Sequence, residues 1–218
     1  MKVSEIFLSI EGEGIRTGYP AIFIRLYGCN LRCVYCDSMY SVDEGDFTEM
    51  SLGEIMNEVQ KYGVKRITLT GGEPLIHKDV YTLLSILSGE GYEVNIETNG
   101  SVDLSTLANL SLDNTIITMD WKSISSGESD KMLSKNLENL SDKDVLKFVV
   151  GSTEDLDQMK DVIENRATPL KCQIFVSPIF GDIEPSTIVD YILEHDLETC
   201  RVQLQLHKFI WDPNKRGV

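Results

Sequence analysis

Short β-rich runs, each halted by glycine or polar residues and followed by an amphipathic segment, recur along this chain; that alternation most constrains its fold. Residues 21–27 (AIFIRLY) end at Gly28, and residues 66–70 (RITLT) run into Gly71 and Gly72. Residues 93–98 stop at Asn99 and Gly100, and residues 115–120 lead into a Ser/Gly-rich turn. Residues 144–150, 172–176 and 201–206 complete the series. Helical periodicity fills the gaps. Ser51 and Glu54 have capping-box spacing at the head of residues 51–61, where Leu52, Ile55, Met56 and Val59 share a face. Residues 79–88 place Val80, Leu83, Leu84 and Leu87 on one side. Residues 155–164 read as a further helix, and Pro185 suits the first turn of one reaching about His195.

About six βα units imply an α/β fold, a parallel sheet with helices outside it. A closed barrel of this type needs about 250 residues. The chain has 218, so an open, partial βα barrel forming a single domain over residues 1–218 is expected. The polar and glycine-rich segments at residues 28–38, 70–74, 98–100 and 120–127 all follow strand C-terminal ends. In parallel α/β folds ligands bind at that edge, because loops and helix N-termini converge there.

Composition narrows the function classes. A net charge of −15 argues against a nucleic-acid partner, whose phosphates require clustered Lys and Arg. No apolar run approaches the roughly 20 residues that span a bilayer, and no basic-then-apolar leader opens the sequence, so a cytoplasmic location without membrane attachment is expected. Of five cysteines, three crowd into residues 29–36, while Cys172 and Cys200 stand alone and read as buried apolar fillers. Clustered thiols in a reducing compartment bind metal or do redox chemistry more often than they form disulfides.

The clustered thiols, Cys29, Cys33 and Cys36, form a CxxxCxxC loop directly after the first β-rich run. Three thiolates suit an iron–sulfur cluster with one iron left open to a substrate or cofactor. A structural zinc site, an electron-transfer cluster completed by a distant cysteine, and ordinary buried thiols are alternatives on spacing alone. Zinc calls for four closed ligands, and His77 does not supply the missing pair.

With its CxxxCxxC loop and with Gly71-Gly72-Glu73-Pro74 after the next strand, the chain resembles the radical S-adenosylmethionine (SAM) superfamily. Across essentially its whole length it also resembles the 7-carboxy-7-deazaguanine synthase family. That likeness rests on residues 5–14 (EIFLSIEGEG), Arg25, Cys36-Asp37-Ser38 and the ending Gln205-Leu206-His207-Lys208-Phe209-Ile210-Trp211. The resemblance implies a radical SAM-type barrel whose segment 1–14 is a substrate-binding extension. It implies a lyase of queuosine biosynthesis that converts 6-carboxy-5,6,7,8-tetrahydropterin to 7-carboxy-7-deazaguanine with loss of ammonia. Three cofactors follow: a [4Fe–4S] cluster on Cys29, Cys33 and Cys36, SAM, and Mg²⁺ held through Ser38. Gly72, Asn99, Asp120, Trp121, Lys122, Ser177 and Pro178 would line the SAM site. Ile10, Glu11 and Gly12, through their backbone, with Arg25, Thr70 and His207, would contact the pterin, Arg25 pairing with its carboxylate. A reductase or flavodoxin-type donor and a homodimer are the implied partners. A glycyl-radical-enzyme activase and an electron-transfer protein without turnover are the rival readings. The chain departs from the family where Glu11 stands in place of a frequent Gln, Ser38 in place of a frequent Thr, and Asp120-Trp121-Lys122 in place of a frequent Ser-Pro-Lys.

Overall fold

The computed structural model describes residues 1–110, 112–213 and 215–218. Among these, one nine-stranded sheet runs in the order β3-β1-β2-β4-β5-β6-β7-β8-β9. β1 (Lys2–Ile10) pairs antiparallel with β2 (Pro20–Leu26), and β3 (Thr48–Glu49) pairs antiparallel with β1. From β2 onward the ladder is parallel, through β4 (Arg66–Gly71), β5 (Glu93–Thr98), β6 (Thr115–Lys122), β7 (Val145–Val150), β8 (Gln173–Pro178) and β9 (Cys200–Val202). This is slightly more than the roughly six parallel strands expected from the βα count. β9 does not pair back to β1 or β3, so the barrel is open.

The helices are α1 (Leu52–Gln60), α2 (Val80–Gly89), α3 (Ser105–Asn109), α4 (Thr153–Glu164), α5 (Pro185–Glu194) and α6 (His207–Ile210). The expected capping box is formed: Ser51 Oγ accepts from Glu54 N, and the Glu54 carboxylate accepts from Ser51 N at 2.8 Å. Ile55, Met56 and Val59 of α1 and Val80, Leu83, Leu84 and Leu87 of α2 are buried against the sheet.

Period-2 alternation then sorts each strand. Ile24, Leu69, Ile96, Met119, Leu146, Phe148 and Val176 enter the apolar layer beneath the helices. Their neighbours in sequence turn to the barrel interior and are largely polar. The first residues of segment 1–14 form the longest strand of the sheet. One expectation needs correction. The final strand is shorter than residues 201–206: after Gln203 N bonds Val176 O at 2.9 Å, the chain leaves the ladder, and Leu206 N donates to Gly12 O at 3.0 Å. Beyond it Lys208 Nζ pairs with Asp37 at 3.0 Å, and Arg216 lies over the Tyr40 ring at 3.9 Å.

Candidate active site

The cysteine loop leaves β2 through Gly28, whose φ of 106° favours glycine. It is clamped from both sides. Gly28 N bonds Ser41 O and Glu73 N bonds Gly28 O, each at 2.8 Å, while Gly72 N bonds Leu26 O at 3.0 Å. A Cβ on Gly72 would lie 2.1 Å from Gly28 O and 2.9 Å from Cys29 N, so only glycine lets β4 approach the loop this closely. On the far side Val34 N bonds Ser126 O at 2.9 Å and Arg32 N bonds Glu128 Oε1 at 2.6 Å, tying the loop to the turn after β6.

All three loop cysteines are free thiols, half-buried, and open on one cavity. Burial pushes the Cys29 thiol up and the Cys33 thiol up to about 11. Such thiols ionise when a cation takes the charge. Among the described residues no three His, Cys, Asp or Glu side chains converge on a single-ion site. A cubane needs a different arrangement, with one thiolate on each of three separate irons, and three half-buried soft donors opening on one cavity from a glycine-clamped loop fit it.

Glu73 organises the neighbouring strand end. Its fully buried carboxylate accepts from Leu75 N and Thr98 Oγ1, both at 2.9 Å, and from Asn99 N at 2.6 Å. Burial, only partly offset by these donors, raises its pKa to about 7. Asn99 thus held turns its Nδ2 toward Cys29 Sγ at 3.6 Å and Asn30 Oδ1 at 3.1 Å.

The cavity measures about 850 Å³ and is lined from Ile10 and Gly12 through the cysteine loop to His207. Arg25 projects into it, with Nε donating to Glu5 Oε1 at 2.8 Å. Tyr40 OH donates to the same oxygen at 2.8 Å. Among the described residues no hydrogen bond engages the terminal guanidinium nitrogens of Arg25, which leaves a two-pronged donor facing the cavity. Thr70 Oγ1 donates to Glu97 at 2.7 Å. His207 presses on Gly12, where a Cβ would lie 2.3 Å from Nδ1, and burial lowers the imidazole pKa. Ser38 lines the cavity beside Cys36, 3.8 Å from its sulfur.

Ion pairs cross the interior. Lys122 Nζ lies 2.7 Å from Asp120, Lys147 Nζ lies 3.1 Å from Asp120 and 3.3 Å from Glu13, and Ser177 Oγ donates to Glu13 at 3.2 Å. Burial opposes the Asp120 charge, but the two ammoniums outweigh it and lower its pKa.

The structure brings Cys29, Cys33, Cys36, Ser38, Gly72, Asn99, Asp120, Lys122, Ile10, Gly12, Arg25, Thr70 and His207 to one cavity. It sets four expected residues apart. Trp121 faces the apolar layer, because β6 alternation sends Asp120 and Lys122 inward and the residue between them outward. Ser177 and Pro178 are buried in β8, where Ser177 bonds Glu13. The Glu11 carboxylate points below the cavity, where Arg16 NH2 donates to it at 2.8 Å and Thr68 Oγ1 also bonds it. Arg16 itself bonds Ile67 O and Glu93 O, so the pair closes the barrel floor. Sequence reasoning assigns no side-chain role to Glu13, Glu73, Glu97 or Lys147, though Glu13 and Glu73 stand within its motifs. A lone charge at an inward position of an apolar strand, as in VLKFVV, was the available signal.

Comparison with known proteins agrees with this geometry. The radical SAM superfamily profile matches residues 23–167. The 7-carboxy-7-deazaguanine synthase of Clostridium acetobutylicum is 43% identical over 100% of this chain and 99% of its own length. That of Methanospirillum hungatei is 43% identical over 98% of this chain and 86% of its own. The crystal structure of QueE from Escherichia coli, 24% identical, superposes with a TM-score of 0.75 over 94% of both chains, which shows the shared fold. The chain belongs to the radical SAM superfamily and, within it, to the 7-carboxy-7-deazaguanine synthases.

Proposed function

We propose that this chain is a radical SAM carbon–nitrogen lyase that contracts the ring of 6-carboxy-5,6,7,8-tetrahydropterin to give 7-carboxy-7-deazaguanine and ammonia. The observation that carries the reading is the sharing of one cavity by the three-thiol loop and the unengaged fork of Arg25. Cys29, Cys33 and Cys36 would hold a [4Fe–4S] cluster, which with SAM would supply a 5′-deoxyadenosyl radical able to remove a carbon-bound hydrogen.

The chain's own residues bind, orient and exclude water. Gly72, Asn99, Asp120 and Lys122 hold SAM beside the loop; Trp121, Ser177 and Pro178 contribute main chain only. Arg25 takes the pterin carboxylate bidentately. Backbone groups of Ile10, Glu11 and Gly12, together with Thr70 and His207, meet the ring's hydrogen-bonding edge. Ser38 offers its hydroxyl to Mg²⁺, a hard cation that accepts few protein ligands and retains waters. An external reductase or flavodoxin-type protein supplies the electron, and the enzyme acts as a homodimer in the cytoplasm. No helix among the described residues is long and apolar enough to cross a membrane.

The test uses anaerobically reconstituted protein with SAM, dithionite, Mg²⁺ and the carboxytetrahydropterin. Mass spectrometry is expected to show the deazaguanine acid formed alongside 5′-deoxyadenosine. Unchanged pterin with 5′-deoxyadenosine accumulating would refute the substrate assignment, and absence of both would refute the radical chemistry.

A further inference from the structure

We propose that Lys147 is a positioning residue that locks the pterin-facing turn at Gly12-Glu13 to the SAM-facing end of β6, so that the radical forms only where the substrate hydrogen lies. The inference rests on the functional reading above and extends it to a residue outside the expected ligand sets.

Lys147 is the single polar residue of β7, whose sequence VLKFVV is buried throughout. Alternation places Leu146 and Phe148 under the helices and turns Lys147 inward, with only 9% of its side chain exposed. An ammonium so placed is costly unless its charge is met. It is met from two directions. Asp120 is its register neighbour on β6, with Oδ1 3.1 Å away; Glu13, from the connection between β1 and β2, offers Oε2 at 3.3 Å. These two carboxylates belong to different ligand walls. Asp120 also holds Lys122, which lines the same cavity as Cys33. Glu13 follows Gly12, on which His207 packs, and is steadied by Ser177. Without the ammonium, Glu13 and Asp120 would face each other across the interior with no shared counter-ion, and the turn carrying Gly12 would lose its tie to β6. Such a loss changes registration between the two ligands more than the binding of either wall by itself.

The experiment compares wild type, Lys147→Met, Lys147→Arg and Glu13→Gln as anaerobically reconstituted enzymes of matched iron content. Pterin affinity is measured by equilibrium dialysis with SAM and Mg²⁺ but no reductant, so that this readout is independent of turnover. The ratio of 5′-deoxyadenosine to deazaguanine acid is then measured after reduction. Lys147→Met is expected to weaken pterin binding about tenfold or more and to release 5′-deoxyadenosine in excess of product. Lys147→Arg, which keeps the charge, is expected to restore most of both. Lys147→Met with wild-type affinity and a wild-type ratio overturns the inference, as does a Lys147→Arg as impaired as the Met variant. If Lys147→Met does not fold, Glu13→Gln decides: a raised Kd with an excess of 5′-deoxyadenosine supports the tie, and unchanged values overturn it. A wild-type protein that binds no pterin refutes the functional reading instead, which keeps the two failures apart.

Discussion

Gly72→Ala tests the claim that two glycine-bearing strand ends, pressed together, hold the cysteine loop in place. The added Cβ would meet Gly28 O at 2.1 Å, Gly28 C at 2.5 Å and Cys29 N at 2.9 Å. The first separation falls about 1 Å inside ordinary contact. All three atoms are backbone, so no side chain can rotate away, and the hydrogen bond from Glu73 N to Gly28 O lies in the same contact. Overpacking in well-filled interiors costs about 1–3 kcal/mol, and a rigid backbone neighbour puts this site at the upper end. Relief requires β2's end and the loop to shift by about the missing distance, and misplacements of that size lower turnover about a hundredfold. Gly53→Ala in α1 is the control: nothing lies within 4 Å of its Cβ, and a helical alanine there gains about 0.5–1 kcal/mol. Iron per chain, thermal midpoint and the initial rate of 5′-deoxyadenosine formation are measured for both. Gly72→Ala is expected to lose iron and rate while remaining folded, with Gly53→Ala matching or exceeding wild type. A Gly72→Ala protein with full iron content and wild-type rate would refute the clamping argument.

Three further outcomes can be measured. Glu73 has a folded pKa of about 7, above its ordinary 4.5, so its contribution to stability is fully present below pH 4.5 and is lost as pH rises toward 7; the pH dependence of chemical denaturation should flatten across that window in Glu73→Gln, and an unchanged slope counts against the shift. Arg25→Lys replaces a fork with a point charge and should raise the KM for the pterin about tenfold with a smaller change in kcat, whereas an unaltered KM removes Arg25 from the carboxylate. Glu11→Ala leaves Arg16 buried without its carboxylate and should lower stability by about 3 kcal/mol in urea, while pterin affinity of the folded protein stays at the wild-type value; a weakened affinity would place the Glu11 side chain in the substrate site.

The parallel strands were legible because each is a β-rich run, and those of β2, β4, β5 and β7 stop at glycine or asparagine at the ligand edge. The thiol loop and Gly71-Gly72 were legible for the same reason. β1 was not read as a strand: in KVSEIFLSI only Val3 is buried and Leu8 is 44% exposed, so this edge-side strand shows no clear alternation. The resemblance makes residues 120–122 a contiguous ligand stretch, yet a strand cannot turn three successive side chains to one face, and Trp121 lies in the core. The resemblance places Glu11 with Ile10 and Gly12 by its backbone, which leaves the destination of its carboxylate open. Its partner Arg16 lies five residues on, across a turn of 3₁₀ helix at Gly14–Arg16, and nothing in local spacing announces that the two meet beneath β4. Glu73, Glu97 and Lys147 acquire partners only when separate strands come together, so their roles are tertiary facts.

Among the described residues, the chain's last stretch meets the body of the fold through a main-chain bond to Gly12, an ion pair to Asp37, a cation resting on Tyr40 and an edge contact of Phe209 with Phe180. Asp37 keeps 58% of its side chain in solvent, so that fastening is a weak one and softens with salt. Salt therefore slackens this contact at the cavity mouth, while the β-ladder around the site, held by main-chain hydrogen bonds, is left undisturbed.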